Sequence, residues 1–262
     1  MIRSLYAAAT GMKAQQLSID AVSNNIANVN TTGYKKQRAE FADLMYQVME
    51  YAGTSTSATT ISPTGIEVGL GVRPTAIQKI FSQGNYKETG NQLDAAISGD
   101  GFFQIQLPDG TTAYTRAGAF KLNENGAIVT ADGYPLLPQV IVPADTTQLT
   151  IGADGTISVM QAGQTQSAQI GQFELANFIN PAGLHSLGDN NYVNTTASGD
   201  AVVGQPGLNG FGQTRQLFLE LSNVQLVDEM TDLITGQRAY EAGSKAISTS
   251  DEMLSTVNGL KR

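Results

Sequence analysis

Apolar residues recur near the start of the chain with gaps that alternate between three and four: Leu5, Ala8, Met12, Gln15, Ile19, Val22, Ile26 and Val29. Gln15 is the polar exception. This is the spacing of a coiled-coil seam, and a helix that carries it needs a partner to cover the seam. The spacing predicts a helix from about Ser4 to Asn28, closed by Thr31-Thr32-Gly33, where Gly33 is free to take a left-handed conformation. A second seam is read near the other end, in Leu226, Leu233, Tyr240, Ile247 and Leu254. The interleaved row there is Met230, Gln237, Ser244 and Asp251. Ser222 and Gln225 stand at capping-box spacing just before it. The expectation is that the two terminal helices pair with each other or with further copies of the chain. The alternative is that both simply pack on the core of one globular domain, but a seam of about four heptads is long for that role.

Between the helices the period changes from that of a helix to that of strands. Phe102-Phe103-Gln104-Ile105, Ala113-Tyr114-Thr115, Ala127-Ile128-Val129 and Thr156-Ile157-Ser158-Val159 are short strand-like runs. They are separated by Asp109-Gly110, Asn125-Gly126, Asp132-Gly133 and Asp154-Gly155, pairs that suit tight hairpins because they tolerate positive φ. The fold class read from this is α+β: terminal helices paired as a coiled coil, with a mostly antiparallel, all-β outer domain inserted between them. The expected division is a discontinuous helical domain (1–40 and 216–262), an extended linker or hairpin (41–81) and a β-rich outer domain (82–215). Within the linker, 52–63 is rich in Ser and Thr, and the strands Val68–Val72 and Ala76–Phe81 are expected to be interrupted at Gly71 and Pro74.

Charge adds a reason for the ends to meet. Residues 1–40 carry a net +3 and residues 216–262 a net −3, which helps choose partners while adding little stability. The whole chain of 262 residues carries −8, which argues against nucleic acid as a partner. Cysteine and tryptophan are absent. No stretch approaches the ~18 consecutive apolar residues of a membrane span, and the first helix does not resemble a secretory signal.

Candidate chemistry is sparse. The one histidine, His185, has no cysteine to join it in a zinc site. Lys121–Gly126 has the asparagines of a calcium loop but a lysine at the first ligand position. Gly207–Gly212 is glycine-rich without the strand and helix of a dinucleotide fold. Many of the acids sit beside turn glycines, where backbone geometry explains them. Neither a catalytic group, a cofactor nor a metal is expected.

One stretch is specific. Ser23-Asn24-Asn25-Ile26-Ala27-Asn28-Val29-Asn30-Thr31-Thr32-Gly33-Tyr34-Lys35 resembles the N-terminal signature of the bacterial flagellar rod, hook and hook-associated proteins. Gln237-Arg238-Ala239-Tyr240-Glu241 and Asp251-Glu252-Met253-Leu254 resemble the C-terminal part of that family. Ser98-Gly99-Asp100-Gly101-Phe102-Phe103 and Tyr114-Thr115-Arg116-Ala117-Gly118-Ala119-Phe120 resemble its central part, while 140–215 match less clearly. The resemblance implies a structural subunit, most like the distal rod members, that assembles helically into a hollow drive shaft with its terminal helices inside. It implies proximal rod proteins, hook protein, ring bushing proteins and the flagellar export apparatus as partners. It also implies a place in the periplasmic rod, reached without a cleaved signal. The segment after the first helix and the length favour distal rod over hook or proximal rod subunits. A stalked cell-wall-binding or wall-degrading protein is the reading from another class. The expected subunit-interface residues are Leu5, Met12, Ile19, Val22, Asn25, Ile26, Asn28, Leu226, Met230, Leu233, Tyr240, Ile247 and Leu254.

Overall fold

The computed structural model describes residues 2–54, 62–164 and 166–259. Two long helices, α1 (Ile2–Ala27) and α2 (Leu226–Gly259), flank a chain of short strands, the α+β organisation that the periodicity predicts. The chain divides into two compact units. The first comprises Met1–Ile26, Gln37–Gln78 and Gln225–Arg262; the second comprises Ala27–Lys36 and Lys79–Val224.

The helical unit is built around α1. Gly236 of α2 lies against Ile19 and Gln15, Gly243 lies against Met12 and Ala8, and Glu229 reaches Asn25. Rising numbers on one helix meet falling numbers on the other, so the helices run antiparallel. The seam of α2 differs from the pattern reading in its second row. Leu233, Ile247 and Leu254 are half-buried as members of the pairing face, but the row beside them is Glu229, Gly236, Gly243 and Ser250, not Met230, Gln237, Ser244 and Asp251. A shift of one residue turns a helix by ~100°. The cause is size: two glycines and a serine let the helices approach closely, which large side chains in that row would prevent. Among the described residues no ion pair links α1 to α2.

The opposite side of α1 is covered by the segment that follows it. Gln37–Asp43 pairs with Val72–Lys79, and Tyr46–Glu50 pairs with Ile66–Gly69. Pro74 does not interrupt its strand. A two-stranded ladder leaves one side of each strand unpaired, and a proline there costs no hydrogen bond. Gly71 sits at φ +113 against α1, where a Cβ would collide with Thr10. The Ser/Thr-rich stretch read at 52–63 falls largely outside the described residues.

The β unit holds the main core. Strands of one antiparallel sheet follow the order His185–Gly188, Asn191–Val193, Thr112–Thr115, Phe102–Gln106, Leu175–Asn177 and Val202–Gly204, with Leu136–Leu137 also pairing to Phe102–Gln106. Alternation divides its side chains between two faces. Ala113, Phe103, Ile105 and Leu175 join one core with Phe120, Ile128, Ile157 and Phe173. Phe102, Tyr114, Ala176 and Tyr192 join a second, aromatic one with Phe178. A three-stranded meander, Thr146–Ile151, Thr156–Gln161 and Ala168–Gln172, lies in the same unit.

The four Asp-Gly and Asn-Gly pairs do supply positive φ, at Gly110, Gly126, Gly133 and Gly155. They are not two-residue hairpins, however. Each glycine amide bonds the carbonyl three residues back, at Leu107, Asn123, Thr130 and Gly152, so each pair ends a four-residue turn, and at Gly110, Gly126 and Gly155 that turn closes a tight antiparallel hairpin. Type I turns carry glycine at that last position.

Candidate functional site

Two clusters tie the segments beside the helices together. The first lies in the helical unit. Asn25 is buried on α1, with its Nδ2 donating to the Gln37 carbonyl at 2.9 Å and to Glu229 Oε2 at 3.0 Å. Its Oδ1 accepts the Gln37 amide at 2.8 Å. One side chain thus mimics a strand neighbour for the start of Gln37–Asp43 and holds α2 as well. Asparagine is costly inside a helix for stability alone, and these bonds explain its presence.

The second cluster lies in the β unit. Lys35 and Glu220 are fully buried, with Nζ donating to Oε1 at 2.5 Å. Lys35 also donates to the Ser82 carbonyl at 2.8 Å, and the Gly84 amide donates to Glu220 Oε1 at 2.9 Å. Arg116 Nη1 reaches Glu220 Oε2 at 3.4 Å, and Nη2 reaches the Gly99 carbonyl at 2.9 Å. Burial pushes the Lys35 ammonium and the Arg116 guanidinium below their ordinary pKa, and the Glu220 carboxylate opposes both shifts. Gly33 completes the cluster: at φ +71 its amide donates to the Glu220 carbonyl at 2.8 Å, and a Cβ there would come within 2.7 Å of the Ala117 amide. The glycine is therefore required twice, by conformation and by space.

Of the expected interface residues, α1 contributes Val22 and Asn25 as buried groups and Leu5, Met12, Ile19 and Ile26 as half-buried ones, and Asn28, just past the helix, is half-buried too. Asn28 Oδ1 accepts the Thr31 hydroxyl at 3.1 Å in the turn that ends the helix. On α2, Leu233, Ile247 and Leu254 are half-buried, whereas Leu226, Met230 and Tyr240 are exposed in the single chain. Val227 and Ile234, at three- and four-residue spacing from Met230, are exposed as well. The expected capping box does not form: Ser222 Oγ accepts the Val224 amide at 3.3 Å, ahead of the helix, and Gln225 supplies its carbonyl to the Glu229 amide at 3.1 Å. α2 starts instead with Asp228 and Glu229 in its first turn, which favour a helix N-terminus.

Pattern reading missed Lys35, Arg116 and Glu220 as a group. The signal was present, since Arg116 stands between small residues and the aromatic Tyr114, and Glu220 within Phe218-Leu219-Glu220-Leu221. A lone charge inside an apolar run is buried only if paired. His185 is exposed on a strand, and no cluster of three metal-ligating side chains exists among the described residues. Nor is any helix among them long and apolar enough to cross a membrane.

The same segments are the ones that known families match. The family described as Flagella basal body rod protein matches residues 5–35, and Flagellar basal body rod FlgEFG protein C-terminal matches 215–260. Flagellar hook protein FlgE/F/G D1 domain matches 96–159. The flagellar basal-body rod protein FlgG of Buchnera aphidicola subsp. Schizaphis graminum is 50% identical over 260 residues, 99% of this chain and 100% of that protein. The chain belongs to the FlgG family of flagellar basal-body rod proteins. Two further FlgG proteins align along their whole length and that of this chain, at 48% identity in Borreliella burgdorferi and 44% in Bacillus subtilis. Both clusters fall inside FlgG-like sequence: Asn25 and Lys35 lie in the first matched segment, Arg116 in the second and Glu220 with Glu229 in the third.

Proposed function

We propose that the chain assembles with copies of itself into a hollow, helically symmetric shaft, its terminal helices on the inside and its β unit on the outside. It is a structural subunit of the flagellar distal rod, a reading supported by full-length likeness to FlgG proteins. Within the basal body the shaft transmits torque from motor to hook and leaves a channel for exported proteins. It stands in the periplasmic space between proximal rod proteins and hook protein, inside the ring bushing proteins, and its subunits arrive through the flagellar export apparatus. The role is mechanical, and no catalytic step is part of it.

The observation that carries this reading is the apolar surface on α2. α1 already occupies the row of Glu229, Gly236, Gly243 and Ser250, yet Leu226, Val227, Met230, Ile234 and Tyr240 stay in water. Each large apolar side chain taken out of water is worth ~1.5–3 kcal/mol, so such a row favours association. Sedimentation velocity of the full chain over rising concentration tests the reading. Species that grow with concentration are expected, and a single monomeric boundary throughout would contradict it.

A further inference from the structure

Ser98–Phe103 and Tyr114–Phe120, the two central stretches that the helix pairing does not use, converge on a cavity of about 260 Å³ in the β unit. Phe81, Phe102, Phe178, Ile179 and Pro181 give it an apolar wall. Arg116 and Asp100 give it a donor and an acceptor. Arg116 is 3% exposed, and its Nε is the one buried side-chain nitrogen or oxygen among the described residues with no hydrogen-bond partner. The guanidinium is held by Glu220 and Gly99 through its other nitrogens and lies 5.3 Å from the Phe102 ring, so it cannot turn to satisfy Nε without breaking those bonds. A buried donor is rarely left unmatched. The space is many times the ~30 Å³ share of a single water.

Charge selects the class of ligand. Lys35 and Arg116 are balanced by Glu220 and by the exposed Asp100, whose charge acts on Arg116. A site of balanced charge that holds one donor and one acceptor suits a peptide group better than a free anion. Ile179, 90% exposed at the rim, offers an apolar neighbour in open water. A helical array needs a socket on one face of the subunit and a complementary segment on another, because its contacts are heterologous.

We propose that this cavity is a socket for a peptide segment of a second copy of the chain, whose carbonyl accepts from Arg116 Nε and whose amide donates to Asp100 while Ile179 closes over the adjoining apolar side chain. The proposal rests on the assembly reading above and adds a specific contact of the β unit to it.

The absence of cysteine permits a clean test on the full chain. Ile179→Cys carries an environment-sensitive fluorophore, and Glu124→Cys, also exposed in the β unit, carries it as control. Ile179→Ser and Asp100→Asn are unlabelled variants at exposed positions; Ile179→Ser should melt with the wild type, and Asp100→Asn, which loses a charge that acts on Arg116, should keep the wild-type circular dichroism. Assembly is followed by pelleting as concentration rises. The expected result is a blue shift of the label at 179 but not at 124, and a roughly ten-fold higher concentration needed to pellet either unlabelled variant. If wild-type assemblies form while the label at 179 keeps its monomer emission, or if both variants pellet at the wild-type concentration, the socket is overturned and the assembly reading stands. A shift at 179 on adding solubilised cell-wall fragments to dilute chain, with none on assembly, would give the cavity to another partner and overturn it too. A wild-type chain that never pellets would remove the assembly reading and the socket together.

Discussion

Asn25 and Glu229 are separated by 204 positions in sequence, yet Asn25 Nδ2 donates to Glu229 Oε2 at 3.0 Å in the buried interior of the helical unit. That bond joins α1 to α2 and, through Asn25, both to the strand that begins at Gln37. Asn25→Leu keeps the volume but leaves the Glu229 carboxylate and the Gln37 amide without this partner. Leaving a buried polar group unmatched costs ~1–3 kcal/mol, more when it is charged. Urea unfolding of the full chain, followed by circular dichroism, should show a loss of at least that size.

The glycines of α2 act by size. A Cβ on Gly243 would stand 2.6 Å from Met12 Cγ, whereas one on Gly11 of α1 would meet nothing within 4 Å. Gly11→Ala is predicted to stabilise the helical unit by ~1 kcal/mol through helix propensity. Gly243→Leu is predicted to destabilise it by ~1–3 kcal/mol through overpacking. Opposite shifts in the helical melting transition of the two variants are the result to look for.

Glu220 is the common anion of two buried cations. Glu220→Gln leaves Lys35 and Arg116 buried without it, and breaking a buried pair in this way costs ~3–5 kcal/mol. Lys35→Met should cost less, because Arg116 remains beside Glu220 at 3.4 Å. Denaturant unfolding monitored by tyrosine fluorescence should rank the variants in that order.

Asp109 and Asp154 form twin turns. Each Oδ1 accepts the amide and the hydroxyl of the threonine two residues on, Thr111 and Thr156. These bonds favour the ionised form and hold both carboxyls below their usual 3.8. A depressed folded pKa contributes stability that is present above the unfolded value and lost as pH falls through the folded one. Carboxyl NMR titration should find both midpoints depressed, with Thr111→Ala raising that of Asp109 and leaving that of Asp154 in place.

Much of this organisation was legible in the sequence. The spacing of Leu5, Met12, Ile19 and Ile26 gives α1, and the short apolar run Phe102–Ile105 between turn residues gives a strand. The partner row on α2 was not legible by hydrophobicity, because Gly236, Gly243 and Ser250 are selected for smallness, and a hydropathy pattern passes over them. The cluster of Lys35, Arg116 and Glu220 was hidden for a different reason. Its members are far apart in sequence, and pairing of buried charges depends on tertiary placement. Asn25 lies between these cases: its cost inside a helix signalled a tertiary bond, but the identity of Gln37 and Glu229 as partners did not follow.

Electron microscopy of the concentrated full-length chain tests the central claim most directly, beside a variant carrying Met230→Glu and Tyr240→Glu. Both positions are exposed in the single chain, at 51% and 43%, so the variant should keep its helical circular dichroism. Straight hollow tubes from the wild type and none from the variant are the predicted result. Tubes from both would show that the exposed face of α2 does not join the subunits, and isolated single chains from the wild type at every concentration would contradict assembly itself.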